Sequence, residues 1–165
     1  MRWKMRKATM EDEPFLWKML YEAIYVPKGA PSPSKDVLNE PSIARFLEAW
    51  GREGDEGRIV VDEEQGHQPV GAVWVRQLDE AHQTYGYLSS HIPVLCGMAV
   101  CPSYRGLGIG TLLLKEMMCQ LAEQGFTELS LSVDADNPAF RLYERHGFQR
   151  INKTGTSWNM MARIR

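Results

Sequence analysis

Cysteine is scarce. Three cysteines, Cys96, Cys101 and Cys119, stand in 165 residues, and no two form a C-x-x-C pair. An odd, scattered set argues against a disulfide framework or a zinc site, and a reducing cytoplasm is the expected setting. No apolar run approaches the roughly 18 residues a membrane-spanning helix needs. The opening stretch Met1-Arg2-Trp3-Lys4-Met5-Arg6-Lys7 is broken by charge and followed by Glu11-Asp12-Glu13, unlike a signal peptide. Strong positive charge is missing too. The formal net charge is -2, so the footprint of a nucleic-acid binder is not there, and neither nucleic acid nor membrane is an expected partner. There is no internal repeat and no dividing linker, so residues 1–165 read as a single domain.

Hydrophobic residues make up 44% and charged residues 24%, an ordinary globular balance. Residues 2–7 read as a first strand. Thr9 and Asp12 offer a capping box, and Phe15, Leu16, Met19, Leu20, Ala23 and Ile24 recur at helical spacing, predicting a helix over residues 10–25. The Pro-rich stretch 26–34 cannot be regular helix. Ser42 is a cap for a second short helix carrying Ile43, Phe46, Leu47 and Trp50. Residues 58–62 and 69–75 read as a hairpin, and residues 91–100 as a central buried strand. A helical stripe runs through residues 107–124, with Gly125 as its C-cap. Residues 129–133 alternate as a strand. Asn137-Pro138 opens a helix that ends at Gly147, and two short strands finish the chain.

The informative segment lies between the central strand and the long helix. It reads Arg105-Gly106-Leu107-Gly108-Ile109-Gly110, with Thr111 following. The first N–H groups of a helix have no internal partner, and the helix dipole places positive charge there. Glycines let a large anion approach the backbone, and Arg105 adds donors suited to phosphate oxygens. The combination suits a diphosphate. It lacks the Lys of a Walker loop and the G-x-G-x-x-G spacing of a dinucleotide fingerprint. Taken alone, it is also compatible with a plain Gly-rich turn.

Arg105-Gly106-Leu107-Gly108-Ile109-Gly110 resembles the R-x-x-G-x-G/A signature of the GNAT family of N-acetyltransferases. Residues 137–148, Asn137-Pro138-Ala139-Phe140-Arg141-Leu142-Tyr143-Glu144-Arg145-His146-Gly147-Phe148, are similar to the family's second signature, N-x-x-A-x-x-x-Y-x-x-x-G-F, with the alanine displaced toward the asparagine. The order of elements over residues 95–148 resembles the family's core. The resemblance implies an α/β fold: a mixed, mostly antiparallel sheet of six or seven strands with about four helices on both faces. It implies acetyl-coenzyme A as cofactor. The backbone of Met98, Ala99 and Val100 would pair with pantetheine, and the amides of Arg105, Gly106, Leu107, Gly108, Ile109, Gly110 and Thr111 would hold the pyrophosphate. Asn137 would bond pantetheine or a relay water. Phe140 and Tyr143 would line the thiol end, with Tyr143 as the acid that protonates the departing sulfur. A strand edge suits pantetheine because its two amides need matching donors and acceptors. A bulge around Cys96-Gly97 would help open that edge, and the Met98 amide would stabilise the oxyanion.

Direct transfer to a primary amine of a small molecule or peptide is the implied reaction. The amine must first be neutral, which is hard for a lysine-type group of pKa about 10.4 and easier for an α-amino group near 8. Some members of the family carry a Glu on the strand before the Gly-rich loop. Here residues 92–100 contain no acid. His91, Glu80, Glu22 or a chain of waters are the candidates for the base. Cys96 and Cys101 read as packing rather than as nucleophiles. Residues 25–41 and 78–91 are the long loops expected to select the acceptor, with Tyr21, Tyr25, Tyr85 and Tyr87 as candidate lining. A different acyl-coenzyme A as donor and a non-catalytic coenzyme A binding module both remain open, as does a homodimer.

Overall fold

The computed structural model describes residues 2–165. Seven strands form one sheet: β1 (Trp3–Lys7), β2 (Glu56–Asp62), β3 (Gln68–Arg76), β4 (Val94–Val100), β5 (Glu128–Asp134), β6 (Gln149–Thr154) and β7 (Ser157–Arg163). Their order is β1-β2-β3-β4-β5-β7-β6. Every neighbouring pair is antiparallel except β4 and β5, which run parallel. Four helices accompany them: α1 (Glu13–Ala23), α2 (Pro41–Ala44), α3 (Ile109–Glu123) and α4 (Ala139–Arg145). This is the mixed sheet with four helices that the sequence led us to expect.

Strand alternation sorts the core into two clusters. Val60, Val73, Val75 and Leu95 share one with Leu113, Leu114, Met117 and Leu121 of α3 and Phe140 and Tyr143 of α4. Ile59, Val61, Ala72, Trp74, Val94 and Cys96 share the other with Leu16, Met19 and Leu20 of α1 and with Leu47. The helices therefore cover opposite faces of the sheet, α1 on one and α3 with α4 on the other.

Several boundaries differ from the sequence reading, each for a physical reason. The helix expected over residues 10–25 opens as a 3-10 turn at Met10–Asp12, and α1 proper ends at Ala23. Pro14 lacks a donor, and Ile24 is already extended ahead of Pro27. The second helix is α-helical over Pro41–Ala44 alone. Beyond it, Arg45 O and Ala49 O accept from the Arg76 guanidinium and Phe46 O accepts from Trp74 Nε1, so these carbonyls serve the sheet side chains instead. The strand expected from residue 91 begins at Val94, because Pro93 cannot donate and Ile92 is held in a turn on Ser89 O.

Arg76 anchors that loop from within. Its guanidinium makes a two-pronged pair with Asp55 at 2.9 and 3.0 Å, and both side chains are buried. Among the described residues no helix is long and apolar enough to cross a membrane, and no group of three or more His, Cys, Asp or Glu is placed to hold a metal ion.

Candidate active site

The parallel pair β4–β5 is where the sheet opens. It is joined at a single register position, Val94 opposite Ser130, with Ser130 N donating to Pro93 O at 3.0 Å. Beyond that point the strands part and a cleft of about 1100 Å³ lies between them. A bulge starts the separation. Trp74 pairs with Gly97 and Val75 with Leu95, which leaves Cys96 as the extra residue on β4. A Cβ at Gly97 would overlap the ring of Trp74, so glycine lets the bulged strand lie on that ring.

The bulge also sets which backbone groups face the gap. Cys101 N donates to Val70 O at 2.7 Å across the β3–β4 pair. Alternate residues of an antiparallel pair turn their backbone groups to the partner. Cys101 and Ala99 therefore face β3, while Met98 and Val100 turn theirs toward the gap. Arg105 Nε donating to Val100 O at 3.2 Å agrees with this phase. One expectation is corrected here. Ala99 lines the cleft with its side of the strand, but its backbone is engaged with Ala72 and is not part of the exposed edge.

At the far end of β4 the chain passes through a 3-10 turn, Pro102–Tyr104, into the Gly-rich loop. Gly106 and Gly108 have φ of 78° and 84°, left-handed values at which a side chain is strained, and a Cβ on either would meet open space. Leu112 N is the first amide of α3 to find a carbonyl, that of Gly108 at 3.2 Å. Among the described residues no atom accepts a hydrogen bond from the amides of residues 106–111, and no side chain caps the helix. A run of amide donors left without good protein partners at a helix N-terminus makes a nest for an anion. Arg105 and Gly110 line the cleft itself. Ile109 is different below the backbone, since its side chain is sealed in the core at 1% exposure.

The loop is anchored from behind. Tyr104 Oη donates to Asp62 at 2.9 Å, and Arg2 makes a two-pronged pair with the same carboxylate at 3.1 and 3.0 Å. The Arg2 hydrogen bonds, helped by those from Tyr104 and the Glu64 amide, hold the Asp62 carboxyl below the usual carboxylate range. In front, Arg105 is committed as well: Nη2 pairs with Glu22 Oε2 of α1 at 3.1 Å.

On the other wall, Asn137 Oδ1 accepts from Ala139 N at 3.0 Å and so caps the start of α4. Among the described residues its amide NH2 has no partner, and Asn137 lines the cleft. Tyr143 follows one turn after Ala139 and lines the cleft with it. The Tyr143 ring is buried and packs edge-on against Phe148 at 5.6 Å. Among the described residues its hydroxyl has no hydrogen-bond partner, yet no sealed side-chain polar atom is left unpartnered there. The oxygen must therefore open onto the cleft. Burial pushes the phenol above its ordinary pKa. Phe140 does not join Tyr143 on that wall. It belongs to the core cluster beneath α4, and the Arg150 guanidinium covers its ring at 4.8 Å.

Of the base candidates, Glu22 lines the cleft. Glu80 and His91 are exposed and line a separate, shallow depression with Asp79, Tyr87 and Ser89. Cys96 is buried and its thiol is pushed up to about 12 by desolvation, and burial raises Cys101 likewise, so neither is a thiolate. The cleft is also lined by residues the sequence did not mark for a site, notably Ile43, Phe46 and the Thr154–Gly155–Thr156–Ser157 turn. That turn reaches the cleft because β7 inserts beside β5, a long-range pairing with no local signal.

Comparison with known proteins places this geometry. A curated relative, the [ribosomal protein bS18]-alanine N-acetyltransferase of Haemophilus influenzae, is 41% identical over 58 residues; the match spans 35% of this chain and 40% of that protein. The solved PaiA N-acetyltransferase of Thermoplasma acidophilum, in complex with coenzyme A, superposes with a TM-score of 0.66 at 20% identity over 99% of both chains. The ribosomal-protein-S18-alanine N-acetyltransferase of Escherichia coli gives 0.66 at 18% identity, over 98% of this chain and 94% of that one. These structural likenesses establish the shared fold. Residues 17–148 match the family model described as Acetyltransferase (GNAT) family, and the chain therefore belongs to that family, whose cofactor is acetyl-coenzyme A.

Proposed function

We propose that this chain transfers the acetyl group of acetyl-coenzyme A directly to a primary amine of a small molecule or peptide. The observation that carries the reading is the opened β4–β5 edge. It supplies outward backbone groups at Met98 and Val100, a nest of amides at residues 106–111 at one end, and the Tyr143 hydroxyl within the same cleft. Pantetheine amides would pair with Met98 and Val100, and the pyrophosphate would sit on the nest. Asn137 would offer its amide NH2 to pantetheine or to a bridging water.

The amine nitrogen attacks the thioester carbonyl, a C–N bond forms, and the C–S bond breaks. The Met98 N–H is turned toward the gap and would hold the oxyanion. Tyr143 would give its proton to the leaving thiolate, and its raised pKa keeps that proton available across the neutral range. The surplus proton of the amine leaves through the open side of the cleft, and Tyr143 takes a proton back from solvent by the same opening.

A thermal shift with acetyl-coenzyme A, followed by thiol release against a panel of amines, tests the reading. At a hundredfold excess over Kd the cofactor should stabilise the fold by about 2.7 kcal/mol, and at least one amine should release thiol. Binding without release across the panel would replace catalysis by a coenzyme A binding module; no shift would remove the cofactor site.

A further inference from the structure

Asp62 ends β2 and is sealed from solvent at 0% exposure. A buried carboxylate destabilises a fold unless donors satisfy it. Here they fill it. Oδ1 accepts from Arg2 Nε at 3.1 Å and from Glu64 N at 3.0 Å, while Oδ2 accepts from Arg2 Nη2 at 3.0 Å and from Tyr104 Oη at 2.9 Å. With two donors on each oxygen, the carboxylate has no lone pair left for a substrate. Its work is done through its partners, and the telling partner is Tyr104.

Tyr104 is held by ring, hydroxyl and backbone at once. Its ring meets Trp3 edge-on at 5.7 Å, and the Arg2 guanidinium lies over both rings, at 4.7 Å from Trp3 and 6.0 Å from Tyr104. Its amide donates to Cys101 O at 2.8 Å. Two residues later comes Gly106, the first glycine of the amide nest. Gly106 and Gly108 sit at left-handed φ, and glycine loses more freedom than any other residue when it is fixed. A nest built on such a loop converges on an anion at low cost only where both flanks are rigid. The core holds one flank through Ile109, and Tyr104 holds the other. The tie in front, Arg105 to Glu22, is half exposed and competes with a diphosphate for the same guanidinium. Neither Asp62 nor Tyr104 lines the cleft, so the tie behind the loop stays in place when a ligand arrives.

We propose that Asp62 is a positioning residue for the coenzyme A diphosphate: acting through Tyr104, and clamped by Arg2, it holds the Gly-rich loop in its binding shape before the cofactor arrives. The proposal rests on the placement of the diphosphate on residues 106–111 and adds the residues outside the cleft that set its affinity. Part of the cofactor site is thereby built by β1 and β2, on strands that make no contact with the ligand.

The test is calorimetry on the full chain with two ligands, coenzyme A and pantetheine, which lacks the diphosphate. Tyr104→Phe keeps the ring against Trp3 and removes the hydroxyl. It should weaken coenzyme A by about five- to tenfold and leave pantetheine within about twofold. Arg2→Met keeps an apolar stem over Trp3 and removes the fork, and it should show the same split in weaker form. Asp62→Asn should match or exceed Tyr104→Phe where its melting temperature shows a folded chain; the other two variants decide the matter where it does not. Unchanged coenzyme A affinity in Tyr104→Phe and Arg2→Met overturns the proposal. So does an equal loss for both ligands, the mark of a fold loosened in general. If the unaltered chain binds pantetheine as tightly as coenzyme A, the diphosphate does not use residues 106–111, and that placement fails together with the role of Asp62.

Discussion

Tyr143 combines two properties that seldom coincide: a ring buried to 7% exposure and a hydroxyl with no protein partner. Burial raises its pKa, so its proton stays on as pH climbs through about 10, where an ordinary tyrosine would lose it. If Tyr143 protonates the leaving thiolate, the rate should rise with pH as the amine deprotonates and show no alkaline fall near that value. Tyr143→Phe should lower turnover by at least about tenfold and leave coenzyme A affinity within about twofold. Steady-state kinetics beside calorimetry checks both, and unaltered turnover would remove the residue from the mechanism. Glu22 makes a separate claim. Its pair with Arg105 is half exposed and worth no more than about 1 kcal/mol. Glu22→Gln should free Arg105 for the diphosphate and tighten coenzyme A binding by up to about fivefold. A weaker Kd for coenzyme A in that variant would show that Arg105 and the diphosphate do not meet.

Among the elements, β4 does the most with the least sequence signal. Its bulge at Cys96 turns the backbone of Met98 and Val100 outward, and Gly97 leaves room for Trp74 beneath it. The Trp74 ring is fully buried and fixed by Nε1 donating to Phe46 O at 2.8 Å, so it cannot retreat. Gly97→Ala should therefore cost about 1–3 kcal/mol by overpacking. For a domain of this size that is a fall in melting temperature of roughly 2–12 °C, readable by calorimetry. This element also marks the limit of reading the chain alone. The stripe through Leu113, Met117 and Leu121 made α3 legible, because helical burial follows a local period. The Gly-rich loop was legible because helix starts and left-handed glycines are local too. The phase of β4 was not, since an expectation for Met98, Ala99 and Val100 together ignores the alternation that hands Ala99 to β3. Phe140 lies under the Arg150 guanidinium of β6, a contact with no local sign. The pairing of Arg105 with Glu22 joins residues far apart in sequence and had no local sign.

The whole sheet behaves as two parts. Strands β1 to β4 form one, β5 to β7 the other, and a single register pair, Val94 with Ser130, joins them along the backbone. Side chains of α3 and its cluster hold the parts together on one face. The outer edges are blunted against further pairing. β6 is exposed throughout, bulged at Ile151 and charged at Arg150 and Lys153, while β1 ends in Lys4, Arg6 and Lys7. The opening at the centre is thus the edge left available, and pantetheine is the strand that would fill it. A ligand bound across the gap would bond to Met98 and Val100 on one side and reach Asn137 on the other. Without it, β5 to β7 can open apart from the larger unit, because local openings follow the weakest seam. Amide exchange should show this. In the ligand-free protein, β5 and β7 should exchange faster than β2 and β3, and the amides of Met98 and Val100, which have no strand partner, fastest of all in β4. Saturating acetyl-coenzyme A should slow the exchange at Met98, Val100 and residues 106–111 and bring β5 and β7 close to the protection of β3. Protection confined to residues 106–111, with β4 and β5 unchanged, would mean that the cofactor uses the amide nest and leaves the sheet edge empty.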